Sequence, residues 1–393
     1  MTEFATRMSR IGASATAVAM ARAAAAKAAG RPVISLTTGE PDFDTPPHVI
    51  AAAKAAMDNG QTRYTAVDGT AALKDAIIAK FRRDNDLTFT RDQVIASTGA
   101  KQIIFNAILA LVEKGDEVII PTPAWVSYVD IVKLAGGVAV EVPCGPEVGF
   151  KPSAAVIAAA ITPRTKALIL NFPSNPTGAM LSRSELQAIG AVLSKQPQIL
   201  TITDDIYEHI AYDGREFLTL VQVCPDLADR VLTVNGVSKA YAMTGWRLGY
   251  AGGPDALIKA LRILQSQSTT NPSSLSQAAA VAALNGPMDC VQQQNVAFAR
   301  RRDAMFDALS SIEGLDVYKP DGAFYLFVGV GRLLGGKFKT EADFVSGLLD
   351  DANLGVVGGA GFGLSPYIRL SFAASDDQLA EAADRIRAFI SEL

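Results

Sequence analysis

The chain is poor in the residues that staple small proteins together or bind metals: three of its 393 residues are cysteine and two are histidine. Cys144, Cys224 and Cys290 lie far apart with no CxxC spacing, so neither a disulfide framework nor a zinc knuckle is indicated, and a reducing compartment fits. His48 follows two prolines at a helix start and His209 follows a Tyr-Glu pair, so both read as structural and no metal site is expected. Charge of one sign is also missing. Acidic residues outnumber basic ones by only 40 to 36, a net charge of -4, which leaves no basic footprint for nucleic acid or anionic lipid. Small or acidic metabolites suit that balance.

No long apolar run is present either. The alanine-rich stretch at 13–29 is interrupted by Arg22 and Lys27, and Glu3 stands where a secretion signal carries positive charge. A spanning segment needs about 20 apolar residues, so a cytoplasmic protein is expected. The composition itself, 49% hydrophobic and 19% charged, is that of a packed globular protein. At about 150 residues per domain the chain is long enough for two or three. No repeat, heptad pattern or low-complexity linker stands out.

From Gln93 to about Gly253, short apolar runs alternate with helical or loop stretches: 94–97, 117–121, 138–142, 166–171, 199–204, 231–235 and 247–253. Such alternation predicts an α/β domain, a mostly parallel sheet covered by helices. Beyond Asn285 a charged helical stretch, the strand GAFYLFVGV, a helix from Thr340 and the strand SPYIRLSFA read as a separate α+β unit. The first forty residues, a helix followed by VISLTTG, are expected to pack with that unit. The division is therefore an N-terminal arm (1–40) that completes the small domain, a large domain (41–285) and a small C-terminal domain (286–393).

Ligands of open α/β sheets bind beyond the carboxyl ends of the strands, and four runs end in chemistry there. VIAST leads into Gly99, Ala100 and Lys101 at the start of a helix, which points backbone N–H groups at an anion. ALILN leads into FPSNPTG with Asn175; ILTIT leads into Asp204 and Tyr207; VLTVNG leads into Ser238 and Lys239, with Arg247 eight residues on. Each alone has a bland reading as a turn, a cap or a surface charge. Together they describe a site for a phosphorylated aromatic aldehyde, and pyridoxal phosphate is such a molecule.

GVSKAYAMTGWRLG, residues 236–249, resembles the lysine signature of the class I aminotransferases of the aspartate aminotransferase family, pyridoxal 5'-phosphate enzymes of fold type I. LTTGEPDFDTP (36–46), RYTAVDG (63–69), GAKQ (99–102), PAWVSY (123–128), NFPSNPTG (171–178), DDIYEHI (204–210), GAFY (322–325) and YIRLSFA (367–373) agree in order, so the likeness spans essentially the whole chain. The resemblance implies an α/β fold with a seven-stranded, mostly parallel sheet and a smaller α+β domain.

It also implies roles. Lys239 would hold the cofactor as an imine and, once displaced by substrate, move the α-proton. Asp204 would pair with the pyridine nitrogen. Asp205 is the adjacent alternative, which strand alternation sends to the opposite face. Asn175 and Tyr207 would bond the ring's phenolate oxygen and Trp125 would stack on the ring. The phosphate would sit on the amides of Gly99, Ala100 and Lys101 with Arg247, and with Tyr64 supplied by the neighbouring subunit of a homodimer. Many relatives carry a serine three residues before the lysine. Here that position is Gly236, and Ser238 stands next to the lysine. Arg369 would take the substrate α-carboxylate, assisted by the backbone of Gly39. The arginine that meets a second carboxylate in the best-known branch is missing from SQSTTNP (266–272), and Arg262 lies too far upstream. Lys101, with Thr16 closing over it, would serve instead.

The expected reaction is transamination between aspartate and 2-oxoglutarate. A transaminase for prephenate, aromatic amino acids or alanine, and a carbon–sulfur lyase, share the cofactor motifs. A non-catalytic effector-sensing module is a remote alternative, weakened by the retention of Lys239, Asp204 and Arg369.

Overall fold

The computed structural model describes residues 4–393. In chain order its strands are β1 (Ile34–Ser35), β2 (Val94–Ser97), β3 (Glu117–Thr122), β4 (Val138–Pro143), β5 (Thr165–Leu170), β6 (Leu200–Asp204), β7 (Val231–Gly236), β8 (Gly249–Gly252), β9 (Asp316–Val317), β10 (Tyr325–Gly329), β11 (Leu354–Gly355), β12 (Val357–Gly358) and β13 (Tyr367–Ser371). Seven of them form one sheet in the order β2-β8-β7-β6-β5-β3-β4. Every neighbouring pair is parallel except those of β8, which runs antiparallel to both β2 and β7. The reversal has a local cause. The chain between β7 and β8 holds only short turns and one 3-10 turn, Thr244–Trp246, with no crossover helix to carry it back to a parallel start.

Side-chain alternation divides the sheet's two faces into two cores. Val94, Ala96, Ile119, Leu168 and Leu170 enter one. Ile95, Val118, Ile120, Ala167, Ile169, Ile202 and Val234 enter the other, beneath the helix Ala100–Leu111. A third core, containing Phe298, Phe324, Leu326, Val328, Ile368 and Ile386, lies under the four-stranded antiparallel sheet β12-β13-β10-β9.

The N-terminal residues return to this third region. β1 pairs with β11 in parallel, Ile34 opposite Leu354 and Ser35 opposite Gly355. The helix Ala15–Ala28 lies so close to β11 that a Cβ on Gly355 would stand 3.1 Å from that of Ala23. Two helices fill 254–285, Asp255–Ser266, which buries Leu257, Ile258 and Leu261 on one face, and Ser274–Asn285. The second buries Ala279, Ala280 and Ala283, small residues that allow close approach to the helices Pro47–Asp58 and Ala71–Asn85. Among the described residues no helix is long and apolar enough to cross a membrane.

Candidate active site

The carboxyl ends of β2, β5, β6 and β7 open into one cavity of about 420 Å³. One end of it is built from backbone. Gly99 has φ +85° and precedes the helix Ala100–Leu111, whose first N–H groups have no partner within the helix. A Cβ at Gly99 would stand 2.8 Å from Nη2 of Arg247, so glycine lets the guanidinium close over the helix start. Gly249 presses on the backbone of Gly99 and Ala100 with no room for a side chain. Arg247 is held by Nη1 donating to the Thr244 carbonyl at 2.9 Å. The missing serine has a steric counterpart: a Cβ at Gly236 would meet Ile206 Cδ1 at 3.0 Å and the Leu248 carbonyl at 3.1 Å. Ser238 lines the cavity beside it.

Lys239 follows β7 and its Nζ donates to the Gly39 carbonyl at 2.5 Å. Burial, reinforced by the Arg369 and Arg247 charges and opposed by Glu40 and Asp204, brings its pKa down to about 8. At the end of β6 the alternation separates two acids. Asp204 lines the cavity, where its Oδ2 accepts from Tyr128 Oη at 2.6 Å while its buried Oδ1 has no partner. Burial pushes its pKa up to about 6, against the lowering effect of the Tyr128 bond. Asp205 turns away, accepting from Thr219 Oγ1 at 2.6 Å and from Thr203 Oγ1 at 3.3 Å. Burial, with Glu208 and Asp204 adding to it, raises that carboxyl to about 8.

Arg369, in the middle of β13, is 1% exposed. Its Nη1 donates to Asn175 Oδ1 at 3.0 Å and its Nη2 to the Thr37 carbonyl at 2.5 Å, while Nε is buried without a partner. Tyr325 and Phe362 cover the guanidinium, with ring centroids 4.5 and 5.0 Å from its carbon. Tyr207 Oη is 2.7 Å from Tyr325 Oη. Lys101 lies over the Trp125 ring, Nζ 4.6 Å from the centroid, and burial together with Arg247 lowers its pKa. Thr16 closes this side, its Oγ1 buried and unpaired.

Of the residues singled out from the sequence, thirteen line the cavity: Thr16, Gly39, Gly99, Ala100, Lys101, Trp125, Asn175, Asp204, Tyr207, Ser238, Lys239, Arg247 and Arg369. Tyr64 does not reach it from the same chain. Its side chain is 90% exposed on a separate surface depression. Arg262 is committed elsewhere, 3.4 Å from Asp68. His209 lies 3.1 Å from Glu208 and 3.6 Å from Asp84. Glu208 is also paired with Lys80, so a cation already occupies that acidic group.

Tyr128, Asn171 and Tyr325 belong to the site and were not anticipated. Asn171 donates to the Asp204 carbonyl at 2.7 Å and accepts from the Asn175 amide at 3.0 Å, tying two strand ends together. Each has a signal in hindsight: Tyr128 closes PAWVSY, Asn171 opens NFPSNPTG and Tyr325 closes GAFY.

An anion cradle, a buried amine with a lowered pKa, and a buried acid with one unpaired oxygen sit in a cavity that also holds a buried arginine with a free N–H. This donor set fits pyridoxal phosphate: the cradle matches a phosphate, Lys239 an aldehyde and Asp204 a pyridine nitrogen. The family model described as aminotransferase class I and II matches residues 31–386, and the chain belongs to that family. An aspartate aminotransferase of Rhizobium meliloti is 52% identical over 99% of this chain and 96% of its own. An aspartate/prephenate aminotransferase of Cereibacter sphaeroides is 49% identical over 98% of each chain. The solved structure of the Thermus thermophilus aspartate aminotransferase with maleate superposes with a TM-score of 0.94, at 39% identity, over 99% of this chain and 100% of that one. The protein is a pyridoxal-phosphate-dependent aminotransferase.

Proposed function

We propose that the amino donor is aspartate and the acceptor 2-oxoglutarate, both dicarboxylates. One observation carries this reading: besides Lys239 and Arg247, assigned to the cofactor, the cavity offers two further cations for two carboxylates, Arg369 in β13 and Lys101 over Trp125. Arg369 presents a fork for the α-carboxylate, with Asn175 holding one arm. Lys101, with the unpaired Thr16 hydroxyl beside the same cavity, meets the distal carboxylate. Arg247 is assigned to the phosphate and Arg262 is paired with Asp68, which leaves Lys101 for that task. Maleate, the ligand named for the Thermus relative, is itself a four-carbon dicarboxylate.

When bound, pyridoxal phosphate supplies a carbonyl for amine exchange and an electron-withdrawing ring. This chain's residues supply the rest. Lys239 anchors the cofactor and then takes the proton from the substrate α-carbon. Asp204 holds a proton on the ring nitrogen, Tyr128 fixing one of its oxygens. Asn175 and Tyr207 would hold the phenolate oxygen and Trp125 would pack against the ring, all three lining the cavity. The N–H groups of Ala100 and Lys101 bind the phosphate with Arg247, helped by Ser238, while Gly99, whose own N–H already donates to the Ser97 carbonyl at 2.7 Å, lets the guanidinium close over them. Residues 1–40 and 286–393 act as a small unit against 41–285.

The working form is a homodimer in which Tyr64 completes the phosphate site of the other subunit; an aromatic that is 90% exposed within its own chain supports this. A second reading adds prephenate as a substrate, as in the name of the Cereibacter relative. A lysine is a mobile point charge, which tolerates a more distant carboxylate better than a rigid fork does.

The test is a donor panel with Lys101→Ser. KM for aspartate and 2-oxoglutarate should rise about tenfold or more, the worth of one charge-assisted bond, with alanine and aromatic donors barely affected. Equal losses for every donor would assign Lys101 to the cofactor and remove the dicarboxylate reading.

A further inference from the structure

The segment that carries Tyr64 is held unusually firmly for one whose tip is so exposed. Gln265, fully buried in the helix Asp255–Ser266, donates from Nε2 to the Val67 carbonyl at 2.6 Å and to the Ala96 carbonyl at 2.9 Å. The Ala96 N–H donates to the Asp68 carbonyl at 3.0 Å. Gly69, at φ +106°, brings the loop so near β2 that a Cβ there would lie 3.2 Å from Ala96 Cβ. From the next helix Gln277, also buried, accepts from the Thr70 N–H at 2.8 Å and donates to Thr65 Oγ1 at 2.9 Å.

Neither glutamine lines the cavity, and Oε1 of Gln265 is buried with no partner. A buried amide with an unsatisfied oxygen is a poor core filler; an apolar side chain of equal volume avoids that desolvation cost. What the amide provides is a link. Ala96 lies in the strand that runs into Ser97, Thr98 and Gly99, the entrance to this chain's own anion cradle. Val67 lies in the loop that presents Tyr64 outward.

We propose that Gln265, supported by Gln277, is a positioning residue that couples the two cofactor sites of a dimer. It locks the loop that delivers Tyr64 to the other subunit's phosphate onto the strand that delivers Gly99 to its own. The proposal rests on the shared-site dimer put forward above.

The experiment uses differently tagged holoenzyme heterodimers in which one subunit carries Lys239→Ala, so that the remaining Lys239 site takes its Tyr64 from that inactivated subunit. The rate at which cofactor leaves the intact site is followed by absorbance. Adding Gln265→Met to the inactivated subunit should accelerate release about fivefold or more, the scale of one lost buried hydrogen bond. The acceleration should disappear when that subunit also carries Tyr64→Phe. Gln277→Met, placed likewise, should act in the same direction and carries the test if Gln265→Met fails to assemble. Unchanged release in these heterodimers, with acceleration only when the glutamine variant shares a chain with the intact Lys239, would overturn the coupling while leaving the dimer standing. A chain that sediments as an active monomer, or a dimer indifferent to Tyr64→Phe, would instead overturn the shared-site reading.

Discussion

An unperturbed lysine amine stays protonated until about pH 10.4 and is a poor nucleophile below that. Lys239 escapes this through burial and the positive charges of Arg369 and Arg247, which bring its pKa to about 8. Raising the pH removes its proton. Capture of pyridoxal phosphate by the apoprotein should therefore accelerate as pH rises toward about 8 and level off above it. Stopped-flow absorbance measures this, and acceleration continuing to about 10.4, as for a free lysine, would contradict it. The two adjacent acids give a second prediction. Asp204→Asn should retain cofactor yet lose about a hundredfold or more in kcat, because a neutral amide no longer balances a charged ring nitrogen. Asp205→Asn keeps an acceptor for Thr219 and sits on the other side of the strand, so its cost should appear in melting temperature, with kcat within about fivefold. Steady-state kinetics on the two variants decides, and the reverse order of damage would refute the face assignment.

At the scale of elements, the seven apolar runs read from the sequence lie within two residues of the seven strands of the large sheet. They are legible because strands buried on both faces carry continuous hydrophobic runs, β2 and the centre of β3 among them. β9, β11 and β12 are two residues each, too short for any period, and become strands only through β13 and β10 or through β1. These cavity-lining positions are legible for a related reason: Asp204 closes β6, and Asn175 and Lys239 lie in the loops that follow β5 and β7. Tyr128 is not, since its relevance depends on how the helix Ser127–Ala135 turns its first residues toward Asp204. Tyr325 depends likewise on the docking of β10 against Tyr207. The contact between β8 and the helix start is equally invisible in sequence and yields a third prediction. Gly249→Ala forces apart β8 and the backbone of Gly99 and Ala100. On the proposed seating of the phosphate at this helix start, the dissociation constant for pyridoxal phosphate should rise about tenfold or more. Equilibrium titration of the apoprotein tests it, with 3-hydroxypyridine analogues lacking phosphate losing much less.

At the scale of the whole molecule, the cavity is a seam. Asp204, Asn175 and Lys239 come from the large sheet, whereas Arg369 and Tyr325 come from the small antiparallel sheet and Gly39 from the segment after β1. Arg369 spans it, with one nitrogen on Asn175 and another on Thr37. One proposed component lies outside this chain's own seam: Tyr64 is 90% exposed, far from the burial that a cofactor ligand needs. If a second copy supplies it, inactivation at Tyr64 and inactivation at Lys239 fall on different sites of a mixed dimer. A subunit carrying Tyr64→Ala keeps its lysine and borrows an intact tyrosine, and its Lys239→Ala partner keeps the tyrosine that is borrowed. One site of that heterodimer is thus complete and the other has lost both groups. Random reassembly of equal amounts makes about half of the dimers mixed, each with one complete site, so activity should recover to about one quarter of the unaltered enzyme's. Each variant alone should stay well below that level. Recovery is measured after denaturant-assisted subunit exchange, with sedimentation confirming dimers. Were each site built from a single chain, mixing would produce no complete site beyond those already present, and activity would remain the mean of the two variants.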